Sequence, residues 1–380
     1  MKIALVSPYD FTWPGGVTAH ISQLSQRLTD MGHTVRILAP FSPNRVDGQE
    51  QNFIPLGRSV PIPSGGSIAR ISLSAWLYRR VRRILHEEKF DVIHLHEPLA
   101  PYLPLAVLHC SNSVNIGTFH AFHGSNRIYR WSSPLLKPYF RRLNGRIAVS
   151  AAAQSHIQRF FPQDYTIIPN GIDLDFFDAD VAPIPELRDG KVNILFVGRM
   201  EKRKGLRYLL DAYSRLKWDH PNTRLIVVGP GNPDKYCYRI LAERSLEDVV
   251  FVGAVNHNML PRYYQTADIF CSPAIGKESF GIVLLEAMAA AKPIVASRIQ
   301  GYKDVVTHGH QGLLALPQDG EALAGALAHL IQNPHLRRKL GANGRADVNQ
   351  YSWQSVARKV VDYYQTTMER QHSAETARTP

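Results

Sequence analysis

The sequence predicts an α/β protein built from two doubly wound parallel sheets. Short apolar runs of strand length alternate with longer segments of helical period, which is the rhythm of βαβ units. The rhythm restarts after Pro183, so it occurs once in each half of the chain. At 380 residues with 44% hydrophobic content, the chain is long enough to fill two cores of ordinary size.

Strands are expected at regular intervals, separated by helical segments such as 206–218 and 279–290. The expected strands are 2–6, 34–39, 92–95, 115–119, 146–149 and 166–169, then 193–197, 224–228, 249–252, 269–272, 294–297 and 313–316. A stretch rich in Pro and Asp between Asn170 and Gly190 has the composition of an interdomain linker. Ligands of open α/β sheets bind beyond the carboxyl ends of the strands, so we expect two such domains to share one cleft.

Charge and cysteine content narrow the class of protein. Lys and Arg exceed Asp and Glu by 44 to 32, and the net charge of +12 favours attraction to phosphates, nucleic acid or anionic lipid. The three cysteines lie far apart and form neither a disulfide framework nor a metal motif, which favours the reducing cytoplasm. We expect no signal peptide, and no apolar run reaches the roughly 18 residues of a spanning helix.

Two glutamates around a glycine turn form the most specific pattern in the chain. Glu278 and Glu286 lie eight positions apart where a loop runs into a predicted helix. The backbone N–H groups of Phe280, Gly281 and Ile282, at the helix start, would be available to a diphosphate. One carboxylate could then meet a sugar and the other a ribose, so this stretch predicts a nucleotide-sugar site.

Two further turns follow predicted strands and could approach a phosphate. Gly15 and Gly16 precede a helical segment, although an ordinary tight turn is the alternative. The loop 198–205 crowds four cations together; a solvated charge run is the alternative, but the position favours Arg199 and Lys204 as clamps on a diphosphate. Neither half opens with G-x-G-x-x-G, so a nicotinamide enzyme is disfavoured.

Histidines end two neighbouring predicted strands. His94 and His96 end one strand and His120 ends the next. A zinc site would need a further ligand at a recognisable spacing, so we expect no metal, and His120 suits hydrogen bonding to a sugar hydroxyl or a developing charge. The D-x-D patterns at 173–175 and 178–180 fall in the linker and are interpreted as turn and cap residues.

A predicted helix over 72–89 has one apolar side and one basic side. The apolar side comprises Leu73, Trp76, Leu77, Val81, Ile84 and Leu85, and the basic side Arg79, Arg80, Arg82, Arg83 and His86. A core helix with a solvated face is one alternative, and a nucleic-acid-binding helix is another. No nucleic-acid-binding module is present and no aromatics interleave the charges, so docking on an anionic membrane is favoured and no nucleic-acid partner is expected.

As a set, these motifs resemble the family 4 retaining glycosyltransferases of the GT-B fold. The resemblance covers nearly the whole chain and includes a C-terminal segment around Trp353. Within the family, the segments at 8–9, 14–17, 60–63, 66–70, 96–98 and 278–289 are similar to the mycobacterial phosphatidylinositol α-mannosyltransferases.

The resemblance implies GT-B architecture, which consists of two Rossmann-like doubly wound parallel-sheet domains facing across a deep cleft. The first domain, for the acceptor and the membrane, would be 1–172, completed by a C-terminal helix at about 356–371. The second, for the nucleotide-sugar donor, would be 173–355.

Roles for single residues follow from the same resemblance. Donor-binding residues would be Gly16, Arg199, Lys204, Glu278, Phe280, Gly281, Ile282 and Glu286. Among them Gly16, Arg199 and Lys204 would hold the diphosphate, Glu286 the ribose, and Glu278 with the backbone at 280–281 the transferred sugar. The catalytic set would be His120, Glu278, Arg199 and Lys204.

The acceptor side follows the family less closely. The acceptor would be bound by Tyr9, Arg70 and His120, and the helix with Arg79, Arg80, Arg82 and Arg83 would dock on anionic lipid. Where the family is polar around its inositol headgroup, this chain has Thr12, Thr18 and Leu99, and 121–123 also depart from the pattern.

The expected activity is transfer of a hexose, with retention, to a membrane lipid. The first expectation is mannose from GDP-mannose to phosphatidylinositol, by front-face displacement. The alternatives are a UDP-sugar-dependent transferase acting on diacylglycerol or another lipid, a UDP-sugar 2-epimerase, and a non-catalytic membrane-binding protein. Apart from the nucleotide sugar no cofactor would be required, Mg²⁺ would at most stimulate, and the protein would be cytoplasmic and peripheral on the inner face of the cell membrane.

Overall fold

The chain folds into two compact units. Unit 1 comprises Met1–Gly171 with Trp353–Pro380, and unit 2 comprises Ile172–Ser352. The computed structural model describes residues 1–13, 15–42, 52–64, 67–72, 77–120, 126–178 and 180–376. The boundaries differ slightly from those expected from the sequence: Ile172 belongs to unit 2, and 353–355 belong to unit 1, because the C-terminal helix begins at Trp353.

The strands alternate with helices in both units. The strands of unit 1 are β1 (Lys2–Val6), β2 (Thr34–Phe41), β3 (Phe53–Ser64), β4 (Ser67–Ser72), β5 (Val92–His96), β6 (Val114–Phe119), β7 (Gly145–Ala148) and β8 (Thr166–Ile167). Those of unit 2 are β9 (Val192–Val197), β10 (Thr223–Val228), β11 (Val249–Gly253), β12 (Ile269–Ser272), β13 (Ile294–Ser297) and β14 (Gly312–Ala315). The helices are α1 (Gly16–Asp30), α2 (Leu77–Glu88), α3 (Leu103–Cys110), α4 (Asn126–Phe140), α5 (Ala151–Gln158), α6 (Leu206–Asp219), α7 (Lys235–Glu243), α8 (Leu260–Thr266), α9 (Ile282–Ala289), α10 (Gln300–Lys303), α11 (Gly320–Gln332), α12 (Pro334–Asp347) and α13 (Trp353–Thr376).

The sheet of unit 1 has the order β4-β3-β2-β1-β5-β6-β7-β8. Its described pairings are parallel except for β3 with β4. Apolar residues of β1 alternate between its two faces: Ala4 and Val6 pack in one core, and Ile3 and Leu5 pack in the other. Helices α2, α3 and α4 cover the first face, and α1 and α13 cover the second.

Unit 2 has a parallel sheet of order β11-β10-β9-β12-β13-β14. Its strands also bury both faces, with Leu195 of β9 in one core and Phe196 in the other. The predicted α/β class with two parallel sheets is confirmed. Among the described helices, none combines the length and apolar character needed to cross a bilayer.

Candidate active site

The cation-rich loop of unit 2 leaves the carboxyl end of β9 and includes a 3₁₀ turn at Lys202–Lys204. Gly205 then adopts a φ of +76°, and a Cβ there would lie 1.9 Å from the carbonyl oxygen of Pro273. The N–H of Ile275 donates to the carbonyl of Arg203 at 2.9 Å. A glycine with left-handed backbone thus lets the loop press against the segment after β12, which places its cations beside Glu278.

Glu278 is the centre of an ion-pair network. Its Oε1 lies 2.5 Å from Nη1 of Arg203 and 2.8 Å from Nζ of Lys204. Arg203 also contacts Glu201 at 2.6 Å through Nε, and Arg199 contacts the other oxygen of Glu201 at 3.0 Å. The Glu278 side chain is only 11% exposed, so its charge needs these partners.

Arg199 is less enclosed than the resemblance implies for a diphosphate clamp. Its side chain is 49% exposed and reaches Glu201 rather than Glu278. Arg203, which no local sequence pattern distinguishes from its neighbours, takes the second position beside Glu278, next to Lys204. Two of the four cations in the run, Arg203 and Lys204, contact the distant carboxylate of Glu278, and the run alone carries no signal as to which two do so.

The glycine turn before α9 is built on tertiary contacts. Gly281 has a φ of +88°, and a Cβ there would lie 2.6 Å from the ring of Tyr302, whose hydroxyl hydrogen-bonds the Ser272 hydroxyl at 2.7 Å. Helix α9 begins at Ile282, not at 279 as expected, because the chain first makes this turn. No side chain caps the helix, so its first-turn N–H groups can bind an anion.

Glu286, on α9, is the second carboxylate of the pattern. Its Oε2 accepts a hydrogen bond of 2.6 Å from the hydroxyl of the buried Tyr264. Burial raises the pKa of Glu286 to about 6, opposed by the Tyr264 hydrogen bond and the Lys204 charge. Lys204 therefore acts electrostatically on both glutamates, and the structure brings Lys204, Glu278 and Glu286 together at the start of α9.

In unit 1, the loop after β1 pairs with β4 and brings Tyr9 close to Arg70. Tyr9 forms a bridge with Ile71, and the N–H of Asp10 donates to the carbonyl of Arg70 at 2.9 Å. The guanidinium of Arg70 stacks over the ring of Trp13 at 3.7 Å. Two predicted acceptor residues thus lie on adjoining segments.

A buried carboxylate fixes this loop. Asp10 is 1% exposed and accepts hydrogen bonds from the hydroxyls of Ser42, Ser59 and Thr12 at 2.5, 2.5 and 2.7 Å. Burial would raise the pKa of Asp10, but these hydrogen bonds outweigh it and hold the pKa below its usual value. The Thr12 hydroxyl therefore stabilises the loop, and it is not an additional polar group for a headgroup pocket.

The other two residues that depart from the family pattern, Thr18 and Leu99, also have side chains that point into unit 1. Thr18 is buried and donates to the carbonyl of Gly15 at 2.9 Å, and Leu99 packs in the core on the α2 side of the sheet. Thr18 and Leu99 therefore both have a structural role inside unit 1. Residues 121–123 lie outside the described residues, as do Pro14 and Gly66.

His120 follows β6 and is held by two neighbours. Its Nε2 is 2.9 Å from Nδ1 of His96, and its backbone N–H donates to Oε1 of Glu97 at 2.7 Å. Burial, followed by neighbouring histidines, lowers the pKa of His120 well below its usual value, so the ring is neutral at pH 7. Burial, with the Glu97 charge second, raises the pKa of Tyr9, which indicates that Glu97 lies near both predicted acceptor residues.

The histidine cluster is larger than the sequence indicated. One nitrogen each of His20, His96 and His120 lies within 4.8 Å of the others. His20 Nδ1 contacts Oδ1 of Asn170 at 3.0 Å, an arrangement that leaves Nε2 as the ligand atom. These three neutral imidazoles could hold a divalent transition metal. The third nitrogen comes from α1, far away in sequence, so no local spacing could reveal it.

Gly15 and Gly16 are exposed at the N-terminus of α1. No side chain caps this helix and its first turn has no acidic residue. A Cβ at Gly16 would meet nothing within 4 Å, so no internal contact accounts for the glycine. Open space and available N–H groups are compatible with the predicted approach of a phosphate.

Helix α2 separates apolar and basic residues as predicted. Leu77 and Val81 are buried, whereas Arg79, Arg80, Arg82 and Arg83 are exposed. The helix begins at Leu77 in the described residues, and Ser72, the predicted first residue, belongs to β4 because it pairs with Ser59. Leu73 and Trp76 of the predicted apolar side lie outside the described residues.

Comparison with known proteins identifies the family. Residues 14–176 match "Glycosyltransferase Family 4", and residues 180–347 match "Glycosyl transferases group 1". The phosphatidyl-myo-inositol mannosyltransferase of Mycobacterium leprae is 37% identical over 369 residues, which are 96% of this chain and 97% of that protein. The chain therefore belongs to the glycosyltransferase family that these two models describe and that includes the M. leprae enzyme.

Solved glycosyltransferases share its fold. The structure of a glycosyltransferase from Rickettsia africae has a TM-score of 0.78 at 20% identity and covers 97% of this chain and 98% of its own. HepE from Anabaena, in complex with UDP, has a TM-score of 0.79 at 22% identity and covers 96% and 100%. The predicted GT-B fold is confirmed, and this glycosyltransferase is a hexosyltransferase.

Proposed function

We propose that this glycosyltransferase moves mannose from GDP-mannose to phosphatidylinositol, with retention of the anomeric configuration. The observation that carries the proposal is the position of Lys204 at the uncapped start of α9. Lys204 contacts Glu278, and its charge partly offsets the rise that burial causes in the pKa of Glu286. The M. leprae relative is named a phosphatidyl-myo-inositol mannosyltransferase, which supports the choice of sugar and acceptor.

The donor is held by charges matched to its parts. The first-turn N–H groups of α9 and the cations Lys204 and Arg199 bind the diphosphate, with Gly16 of α1 as a second helix start. Glu286 accepts hydrogen bonds from the ribose, and Glu278 accepts them from hydroxyls of the sugar. Phe280 and Gly281 contribute backbone contacts beside Glu278.

Arg203 positions Glu278 for this role. In the free enzyme Glu278 carries two cationic partners, Arg203 and Lys204. When the donor binds, the Lys204 ammonium can turn to the phosphate while the Arg203 guanidinium keeps the carboxylate oriented. The carboxylate is then never left buried without a counter-charge.

The acceptor binds to Tyr9, Arg70 and His120 of unit 1. Neutral His120 exchanges hydrogen bonds with sugar hydroxyls, and Arg70 supplies a positive charge for the phosphate of the acceptor lipid. The acceptor hydroxyl oxygen forms a bond to the anomeric carbon while the bond from that carbon to the diphosphate oxygen breaks. The hydroxyl proton passes to the leaving diphosphate, whose developing charge Lys204 and Arg199 stabilise.

The test of the proposal is a matrix of GDP- and UDP-sugars against total membrane lipid, with each product identified by mass. We expect mannosylated phosphatidylinositol from GDP-mannose. Transfer only from a UDP-sugar to diacylglycerol would replace the proposal with the UDP-dependent alternative. Epimerisation of free UDP-sugar without any lipid product would contradict transfer altogether.

Reaction at a lipid acceptor requires the enzyme to bind a membrane surface. The exposed arginines of α2, with no described acidic side chain between Arg79 and His86, suit an anionic leaflet, and we place the enzyme on the inner face of the cell membrane. Each basic side chain near an anionic surface contributes about 1 kcal/mol to the free energy of binding. Changing Arg79, Arg80, Arg82 and Arg83 to Ser should therefore weaken binding to phosphatidylglycerol vesicles, measured by sedimentation, by at least about tenfold.

A matched control separates the α2 surface from net charge. Changing Arg338, Lys339, Arg358 and Lys359 to Ser removes the same number of exposed cations from α12 and α13. This control should bind vesicles nearly as well as the unmodified enzyme. Equal losses in both variants would mean that overall charge, and not α2, is responsible.

A further inference from the structure

Helix α4 exposes an apolar stripe that the proposed activity does not use. The side chains of Trp131 and Leu135, one turn apart, are 84% and 77% exposed. Pro134 and Pro138 are exposed on the same face, at positions three and seven residues after Trp131. Exposed apolar residues are ordinary singly, but four on one helical face form a patch of the kind that marks an interaction surface.

The stripe is bordered on one side by cations. Arg130, Lys137 and Arg141 are exposed and lie roughly 100° around the helix axis from the stripe, as 3.6 residues per turn dictates. The opposite side of α4 packs into unit 1 through Phe140 and Leu136. An apolar stripe flanked by Arg and Lys is the pattern of a helix that lies in the interface of a bilayer.

The basic border continues into a pocket of about 350 Å³. Lys137, Arg141 and Arg146 provide its charges, and Phe140, Phe160 and Phe161 provide its apolar surface. None of the described residues that line it is acidic. Cations over an aromatic floor suit the phosphate of a lipid, with its apolar glycerol end below.

Helices α2 and α4 belong to one surface of unit 1. Burial and, after it, the neighbouring Tyr139 hydroxyl on α4 raise the pKa of Tyr78 on α2, so these two side chains lie close together. Both helices pack into the core on the same face of the sheet, through Val81 and Phe140. Helix α2, with its basic face, and helix α4, with its apolar stripe, therefore cover the same face of the unit 1 sheet.

We infer that α4 inserts Trp131 and Leu135 into an anionic bilayer as a second membrane anchor beside α2. The inference rests on the membrane surface of the proposed function and extends it. Exposed residues of α2 supply charge but little apolar surface, so α2 alone gives a contact that salt screens. The α4 stripe supplies apolar burial, which salt does not weaken.

The test uses a double variant that carries both Trp131→Ser and Leu135→Ser. Its control is the single variant Trp218→Ser. Trp218 is 90% exposed on α6 of unit 2 and lies outside the proposed surface. Vesicles of equal parts phosphatidylcholine and phosphatidylglycerol are sedimented with each protein at low and high salt. The double variant should bind roughly tenfold or more weakly at both salt concentrations, because it loses two apolar side chains from the bilayer. The Trp218→Ser protein should bind normally.

Depth of insertion gives a second readout that does not depend on affinity. Phospholipids brominated on the acyl chains should quench tryptophan emission of the unmodified enzyme, and Trp131→Phe, which keeps an apolar ring, should remove that quenching while binding persists. Unchanged binding of the double variant, or quenching that survives Trp131→Phe, would overturn the inference. A shift from dimer to monomer in the double variant with normal vesicle binding would also overturn it, because the stripe would then cover a second copy.

Vesicle binding keeps this test separate from the proposed activity. Failure of the sugar and lipid matrix would remove the proposed function and leave the binding results intact. Normal transfer to phosphatidylinositol, combined with normal binding by the double variant, would remove only the α4 anchor.

Discussion

Arg203 joins two carboxylates that are far apart in sequence, Glu201 in its own loop and Glu278 before α9. We expect Arg203→Ala to lower the rate of sugar transfer by at least about tenfold, because Glu278 keeps only Lys204, which the phosphate also needs. Arg203→Lys should recover part of the rate, since an ammonium supplies charge but cannot form the two-sided contact of a guanidinium. Steady-state kinetics with GDP-mannose measure both.

The control for Arg203 is Arg215→Ala. Arg215 is exposed and pairs only with Asp211 on the same helix among the contacts described, at 3.3 Å. An exposed pair of this kind contributes about 0.3–0.5 kcal/mol, so transfer should be unchanged. Full activity of Arg203→Ala would show that Glu278 needs no second cation.

Glu286 gives the donor site a dependence on pH. Burial raises its pKa to about 6, so the carboxylate takes up a proton as pH falls through that value. A protonated acid accepts ribose hydrogen bonds poorly, and donor affinity should therefore fall below about pH 6 and be constant above it. Isothermal titration with the nucleotide across this range measures the midpoint.

Two variants assign that midpoint to Glu286. Tyr264→Phe removes the hydrogen bond that lowers the pKa of Glu286, so the midpoint should move to higher pH. Glu286→Gln should weaken binding and make it independent of pH in this range. A midpoint unchanged by Tyr264→Phe would mean that another group titrates.

The site residues that the sequence predicts are those with a local pattern. Glu278 and Glu286 stand at a fixed spacing in one segment, so a single window contains them. Arg203, Tyr264 and His20 reach the same sites only through tertiary contact, from other elements. Their residue types are ordinary, and the local sequence does not distinguish them from surface or core residues of the same kind.

At the scale of elements, the regular strands were predictable and the β3–β4 hairpin was not. The strands β12 and β13 have the bounds that the sequence predicts, because a buried parallel strand is a short apolar run between breakers. In contrast, β3 contains Pro61 and Pro63, which normally argue against a strand. These prolines are tolerated because the part of β3 from Ser59 onward pairs only with β4, while the part up to Arg58 pairs with β2.

The loop that carries Arg203 and Lys204 depends on Gly205. Gly205→Ala forces a left-handed φ on an L residue and sets its Cβ against the Pro273 carbonyl, so the free energy of unfolding should fall by about 3 kcal/mol or more.

Gly325→Ala is the control. Gly325 is an exposed glycine inside α11 with nothing within 4 Å of its Cβ position, and alanine there should stabilise by up to about 1 kcal/mol. Thermal unfolding should therefore shift in opposite directions, and equal shifts would contradict the assigned strain.

At the scale of the molecule, unit 1 is assembled from both ends of the chain. Helix α13 buries Trp353, Val356, Val360, Val361 and Tyr364 in the core that also contains β1 and α1. The Tyr364 hydroxyl lies 2.7 Å from Nδ1 of His94, so α13 also supports the histidine cluster. Sequence periodicity predicts such a helix but not where it packs, because its partners are at the opposite end of the chain.

A truncation after Ser352 should therefore unfold unit 1 and leave unit 2 folded. Five large side chains at about 1.5–3 kcal/mol each contribute roughly 7.5–15 kcal/mol, which is comparable to the usual 5–15 kcal/mol stability of a whole domain. Unit 2 is a single continuous segment, Ile172–Ser352, with its own cores, so it should keep its fold.

Limited proteolysis followed by mass spectrometry should find fragments of 172–352 protected and those of 1–171 digested. A control chain that ends at Gln371 loses the end of α13, 372–376, where the described side chains are exposed, together with 377–380, and should be protected throughout. Protection of 1–171 in the shorter chain would mean that the sheet of unit 1 holds together without its second covering helix.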